Sequence, residues 1–145
     1  MSQESTTPDL ARRARHVGET LGRRDFDGFT RLFAPGAVWD ASQAGVGTFH
    51  GPAAIRAFLE DWLAAYEEWN NQWEEVVALD NRIVFTVNRQ DGRLAGGMGK
   101  VQERYALTFT FGTAGLIERA LVIQDIDEAR VAAERLAEER AQPCG

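Results

Sequence analysis

At Gln72 the apolar pattern of this chain changes period, and that change constrains the fold more than any other feature. Before it, apolar residues recur at spacings of three and four; after it they alternate. Three helical segments precede the switch. Leu10, Ala14, Val17 and Leu21 form the inward stripe of a helix expected over about 8 to 22. Thr7-Pro8-Asp9 opens it with a hydroxyl N-cap, a proline whose missing N–H costs nothing there, and an acid against the helix dipole. Asp25 is suited to cap a short second helix reaching Phe33, which Pro35-Gly36 ends. Val38 to Ala41 suits a short strand, and a glycine-rich loop through Gly45 and Gly47 leads to Gly51-Pro52. That pair opens a third helix, in which Ile55, Phe58, Leu59, Trp62, Leu63 and Tyr66 make one broad apolar face.

Downstream of the switch, four strands are predicted at about 72 to 79, 82 to 91, 100 to 111 and 116 to 124. Asp80-Asn81 and Gly112-Thr113-Ala114-Gly115 are turns of hairpin length, so these strands should pair antiparallel with their sequence neighbours. Gly96, Gly97 and Gly99 make a looser connection or a bulge. Asp125 followed by Glu128 has the form of a capping box, which starts a charged helix reaching about Arg140.

Helices followed by a meander of long strands predict an α+β domain. Its cone-shaped, curved antiparallel β-sheet wraps around the N-terminal helices, and a C-terminal helix follows. At 145 residues the whole chain, 1–145, is expected to be one domain, with 1–7 and 141–145 as flexible tails. A pocket can form where sheet and helices diverge.

Composition narrows the function classes. Hydrophobic residues at 44% and charged residues at 26% exclude wholesale disorder. A net charge of −6 argues against nucleic acid, and Arg12, Arg13, Arg15, Arg23 and Arg24 read as a solvated helix face. The one cysteine, Cys144, permits no intrachain disulfide and no cysteine metal site, which fits a cytoplasmic location. No apolar leader or membrane-length apolar run is visible, so no membrane association is expected. His16 and His50 lack clustered carboxylates, so no metal site is expected. Gly45-Val46-Gly47 lacks the long strand and third glycine of a dinucleotide fingerprint, so no cofactor is indicated.

The stretch "RRDFDGFTRLFAPGAVWD", leading through a loop to "HGPAAIRAFLEDWLAAYEEW", resembles the SnoaL-like branch of the nuclear-transport-factor-2-like superfamily, including its small actinobacterial members. The resemblance runs from about Leu10 to Leu136 and takes in "DNRIVFTVNRQDGR" and "FTFGTAGLIERA". It implies a cone enclosing an apolar cavity and a homodimer through the outer sheet face. The superfamily hosts polyketide cyclases, ketosteroid isomerases, epoxide hydrolases, transport factors and plain binding domains, so activity must be matched residue by residue.

Matched against the isomerases, the general-base position falls on Ala41, one residue after Asp40. A regular strand turns Asp40 to the opposite face, whereas a one-residue bulge returns it to the pocket. The isomerase oxyanion tyrosine and second acid fall on Val17 and Leu107, which donate no hydrogen bond. The last-strand aspartate of cyclases and epoxide hydrolases falls on Val122, while Asp125, three residues on, reads as a helix cap. Arg89-Gln90-Asp91 matches the Arg-x-Asp pair of the epoxide hydrolases. Arg89 shares a strand face with Phe85 and Val87, which are expected to face the cone. A desolvated arginine there needs Asp91, Asp40 or an acidic ligand; otherwise Arg89 and Asp91 pair at a solvent-exposed strand end.

The candidate catalytic residues are therefore Asp40, Arg89 and Asp91. Trp39, Trp62, Tyr66, Phe85, Tyr105, Val122 and Gln124 are candidates for substrate binding. Core packing is the alternative role for Tyr66 and Tyr105. The expected function is a cofactor-independent pocket protein for a small apolar molecule, acting by proton transfer as a cyclase, isomerase or epoxide hydrolase. The alternative is a non-catalytic ligand-binding or assembly domain.

Overall fold

The computed structural model describes residues 3–96 and 99–141; Cys144 and Gly97 lie outside the described residues, as do the ends of both expected tails. The elements run α1 (Gln3–Gly22), α2 (Phe26–Thr30), β1 (Phe33–Ala41), a 3-10 turn (Ser42–Ala44), β2 (Gly47–His50), α3 (Pro52–Ala64), β3 (Tyr66–Leu79), β4 (Ile83–Leu94), β5 (Lys100–Phe111), β6 (Ile117–Ile123) and α4 (Ile126–Ala141). α1 carries Pro8 within it rather than at its first turn.

The six strands make one sheet in the order β2-β1-β6-β5-β4-β3. β3, β4, β5 and β6 pair antiparallel with their sequence neighbours, as the turns predict. β1, however, joins β6 in parallel, so the sheet is mixed rather than wholly antiparallel. β2 lies within the stretch expected to be a loop, since its four residues, Gly47 to His50, are too few to show a period; it pairs antiparallel with β1 at the sheet edge. Pro35-Gly36, expected to end a helix, lies inside β1. The proline is accommodated because the β1–β6 register slips between Phe33 and Val38, so its missing N–H breaks no regular ladder.

Two apolar layers hold the sheet. On the concave face, Leu10, Ala14 and Val17 of α1, Phe29 of α2, and Ile55 and Leu59 of α3 pack against Val84, Leu107, Phe109, Ile117 and Ala120. Burying each large side chain of this kind contributes roughly 1.5–3 kcal/mol. α1 approaches β3 closely at Gly18, where an added Cβ would overlap the Trp73 indole. On the convex face, Ala129 and Ala133 of α4 pack on Phe85, Val87, Ala106 and Ile123. The small alanines bring the helix close to the sheet, and Arg130 covers the Phe85 ring with its guanidinium 4.8 Å from the centroid. Over β4 to β6, the outer face expected to join two copies carries the chain's own α4.

Both ends of α4 are tied down. Asp125 Oδ1 accepts from Glu128 N at 3.0 Å, the N-cap predicted from the sequence. At the far end Asn81 Nδ2 donates to Ala137 O at 2.8 Å and Arg140 Nε to Asn81 O at 3.0 Å. Asn81 sits at φ 63°, in the left-handed region that asparagine tolerates, so one residue shapes the β3–β4 turn and anchors the helix.

Candidate functional site

Side chains alternate between faces along a strand, so cross-strand register translates into rows on the concave face. Asn71, Gln90 and Glu103 are cross-strand partners and form one such row. Trp73, Asn88 and Tyr105 form the next, and the Ala106↔Ile123 pairing sets Gln124 alongside Tyr105. These two rows carry amides, a carboxylate and a phenol, whereas the Val84–Phe109 pair further along the same strands is hydrocarbon.

Over them lies a cavity of about 170 Å³. All four tryptophans of the chain, Trp39, Trp62, Trp69 and Trp73, line it together with Phe58 and Tyr105. The polar lining is Asn71, Gln90, Glu103 and Gln124. Drug-sized ligands occupy roughly 300–1,000 Å³, whereas an apolar cavity of about 150 Å³ holds benzene. The volume here therefore suits an occupant of about one ring.

The polar groups are ordered by hydrogen bonds. Gln90 is only 5% exposed. Its Oε1 accepts from Trp69 Nε1 at 2.8 Å and from Trp62 Nε1 at 3.4 Å, while its Nε2 donates to Glu103 Oε1 at 2.7 Å. Two indole donors on one side and a carboxylate acceptor on the other fix the orientation of this amide. Burial pushes the Tyr105 phenol well above the usual tyrosine range; the Asn71 amide opposes that shift, and Glu103 adds to it. Tyr66 is raised too, by burial first and then by Glu103. Asn71 Oδ1 and Asn88 Oδ1 are buried and have no hydrogen-bond partner among the described residues.

Among the expected substrate-binding residues, Trp39, Trp62, Tyr105, Val122 and Gln124 line this cavity. Tyr66 stands beside it: it opens β3 instead of ending the third helix, and its ring lies over Gly92, 6.5 Å from the Trp62 ring. Phe85 is on the opposite face, beneath α4. Arg89 shares that face, as strand period requires, so neither residue faces the cone. Arg89 and Asp91 form an ion pair at 3.4 Å with side chains 39% and 31% exposed. They border a charged groove shared with Arg24, Glu68, Arg93 and Lys100.

Asp40 is also outside the cavity lining. The register slip in β1 ends before Val38, and Val38 to Ala41 run in unbroken register with β2. Trp39 and Ala41 therefore face the core while Asp40 points to the other side. There its carboxylate accepts from Ser42 Oγ at 2.6 Å, Ser42 N at 3.0 Å, Thr48 Oγ1 at 3.3 Å and Arg119 at 2.8 Å. The Ser42 hydrogen bonds, assisted by Arg119, hold it below the usual carboxylate range. A carboxylate with so many donors is a weak base.

The sequence reading missed Trp69, Asn71, Trp73, Gln90 and Glu103. Trp69-Asn71-Trp73 alternate and so carried a usable strand signal, hidden by the polar residues around them. Among the described residues no three His, Cys, Asp or Glu side chains are grouped to hold a metal ion, and no helix is long and apolar enough to cross a membrane.

Several solved structures share the fold. An NTF2-like protein of unknown function from an Exiguobacterium species superposes with a TM-score of 0.68 at 14% identity, covering 78% of this chain and 98% of that one. TerC, co-crystallised with polyporic acid, gives 0.68 at 18% identity over 89% of this chain and 98% of its own. A candidate SnoaL-like polyketide cyclase from Shewanella denitrificans gives 0.69 at 14% identity with the same two coverages, 89% and 98%. At these identities the likeness speaks of fold alone. No curated protein matches the sequence. The profile of the SnoaL-like domain, by contrast, matches residues 14–120, a span that holds every strand from β1 to β5 and all four tryptophans. On that match the chain belongs to the SnoaL-like domain family.

Proposed function

We propose that this chain is a cofactor-independent pocket protein that binds a small, largely apolar, ring-sized molecule in the tryptophan-lined cavity. The observation that carries this reading is the convergence of all four tryptophans on one space of about 170 Å³, with a bonded Gln90–Glu103 pair in its wall. Aromatic walls supply contact area, and a few fixed polar groups supply orientation. TerC, of the same fold, was co-crystallised with polyporic acid, which is in keeping with an organic occupant. An outer-face homodimer is not part of this reading, because α4 occupies that face over β4 to β6.

The tryptophans also provide the test. Titration with benzyl alcohol should change their fluorescence saturably, and a Val122→Phe variant, which fills the cavity, should lose the response while keeping its far-UV circular dichroism. Equal responses from both proteins would overturn the reading.

A second reading, proton-transfer catalysis of the cyclase, isomerase or epoxide hydrolase type, has one observation in its favour: among the described residues, Glu103 is the sole carboxylate in the cavity lining. Ala41, Leu107 and Val122, the positions where the family's acids fall, line the cavity as hydrocarbon. The acid/base role therefore passes from Asp40 and Asp91 to Glu103, which stands where it can reach a bound molecule. Turnover of epoxides or cyclic ketones that survives Glu103→Gln unchanged would remove this role.

A further inference from the structure

Resting on the reading that the cavity binds a ring-sized molecule, we infer that its occupant is an organic cation, a protonated amine attached to a small ring. Among the described residues, Glu103 is the only charged side chain in the lining, and no cationic side chain accompanies it. One oxygen of its carboxylate accepts from Gln90 Nε2, and Glu103 forms no ion pair among the described residues. A negative charge in a cavity wall without a positive neighbour attracts a cation and repels an anion.

The surroundings agree. Gln90 gathers Trp62 and Trp69 beside Glu103 through their indole N–H groups. Tyr105 lines the same space, and Tyr66 adjoins it. Aromatic faces attract ammonium groups electrostatically, and rings grouped around one are a recurrent means of binding amines. Trp69 already accepts a cation of the chain itself: the Arg24 guanidinium lies 5.4 Å from its ring centroid. One spare hydrogen-bonding atom of the lining is an acceptor as well, whereas the spare donor, Trp73 Nε1, lies against Gly18 of α1. Asn71 Oδ1 lacks a donor among the described residues, Asn71 is part of the lining, and an ammonium group brings only donors. Carboxylate, ring faces and amide oxygen thus share one preference. An anion would meet the Glu103 charge, and a plain hydrocarbon would leave Asn71 Oδ1 unpaired.

The experiment compares benzylamine, benzyl alcohol, toluene and benzoate, four probes of nearly one shape, by tryptophan fluorescence and calorimetry at neutral pH. Benzylamine, protonated under these conditions, should bind about tenfold more tightly than benzyl alcohol, and benzoate should bind weakest. In Glu103→Gln, which keeps the shape of the side chain while removing its charge, that preference should vanish, with benzylamine binding no more tightly than benzyl alcohol. Equal or tighter binding of benzyl alcohol, toluene or benzoate by the unaltered protein would overturn the inference and leave the cavity reading standing. So would a benzylamine preference that persists in Glu103→Gln. If none of the four probes binds saturably, the cavity reading fails along with it.

Discussion

The two faces of β4 are made from alternate residues of one strand, yet they differ in kind. Outward, Phe85 and Val87 meet α4 through hydrocarbon, with Ala106 and Ile123 beside them. Inward, Val84 is followed by Thr86, Asn88 and Gln90, all buried and all polar. A buried amide is costly unless bonded, so a sheet selected for stability alone would resemble the outer face throughout. The inner face departs from that pattern where the cavity lies. Stability is thus allotted to one side of the strand, and the proposed recognition to the other.

Substitutions on the two sides should separate these roles. The largest effect is expected from Phe85→Ala beneath α4, which should cost about 3–5 kcal/mol in chemical denaturation while leaving benzyl alcohol affinity unchanged. A parallel loss of affinity would show that the faces are coupled. Next, Gly18→Ala should cost about 1–3 kcal/mol through overpacking and shift tryptophan emission, since Trp73 must move from α1. An unchanged emission spectrum would contradict the close approach. Asp125→Ala removes the acceptor of Glu128 N and should cost about 1 kcal/mol, again with the cavity unaffected.

The smallest effect concerns Asp40. Its folded pKa is depressed, so its stabilising contribution is present above the unfolded value of about 3.9 and is lost as pH falls through the folded one. Asp40→Asn should therefore lower stability at neutral pH by roughly 0.5–1 kcal/mol, and the gap to the unaltered protein should close in acid. A gap that stays constant with pH would mean that Asp40 contributes by shape alone.

Much of the scaffold was legible in the sequence because its signals are local. The apolar face of α3, the three hairpins from β3 to β6 and the Asp125 cap each follow from residues within a few positions of one another. What was hidden had physical causes. β4 is buried on both faces over Ile83 to Asn88, because helices cover it on each side, so alternation could pair Arg89 with Phe85 but could not say which face is concave. β3 begins before Gln72, and its cavity-side positions include Asn71, so the alternation expected of a half-buried strand was masked where the site lies. The parallel β1–β6 pairing leaves no local mark at all. In "GAVWDAS" the sequence posed a choice between a regular strand and a bulge, and only register with β2 decides it.

That parallel pairing also bears on when the cavity comes into being. Trp39 lies opposite Ala120, across most of the chain, whereas Trp69 and Trp73 lie opposite Gly92 and Asn88 in a neighbouring hairpin. Contacts between distant segments carry the larger loop-closure entropy and slow folding. The β3–β5 floor can therefore assemble first from local hairpins, and the Trp39 wall must wait for β6. During refolding, the ability to bind should arrive last.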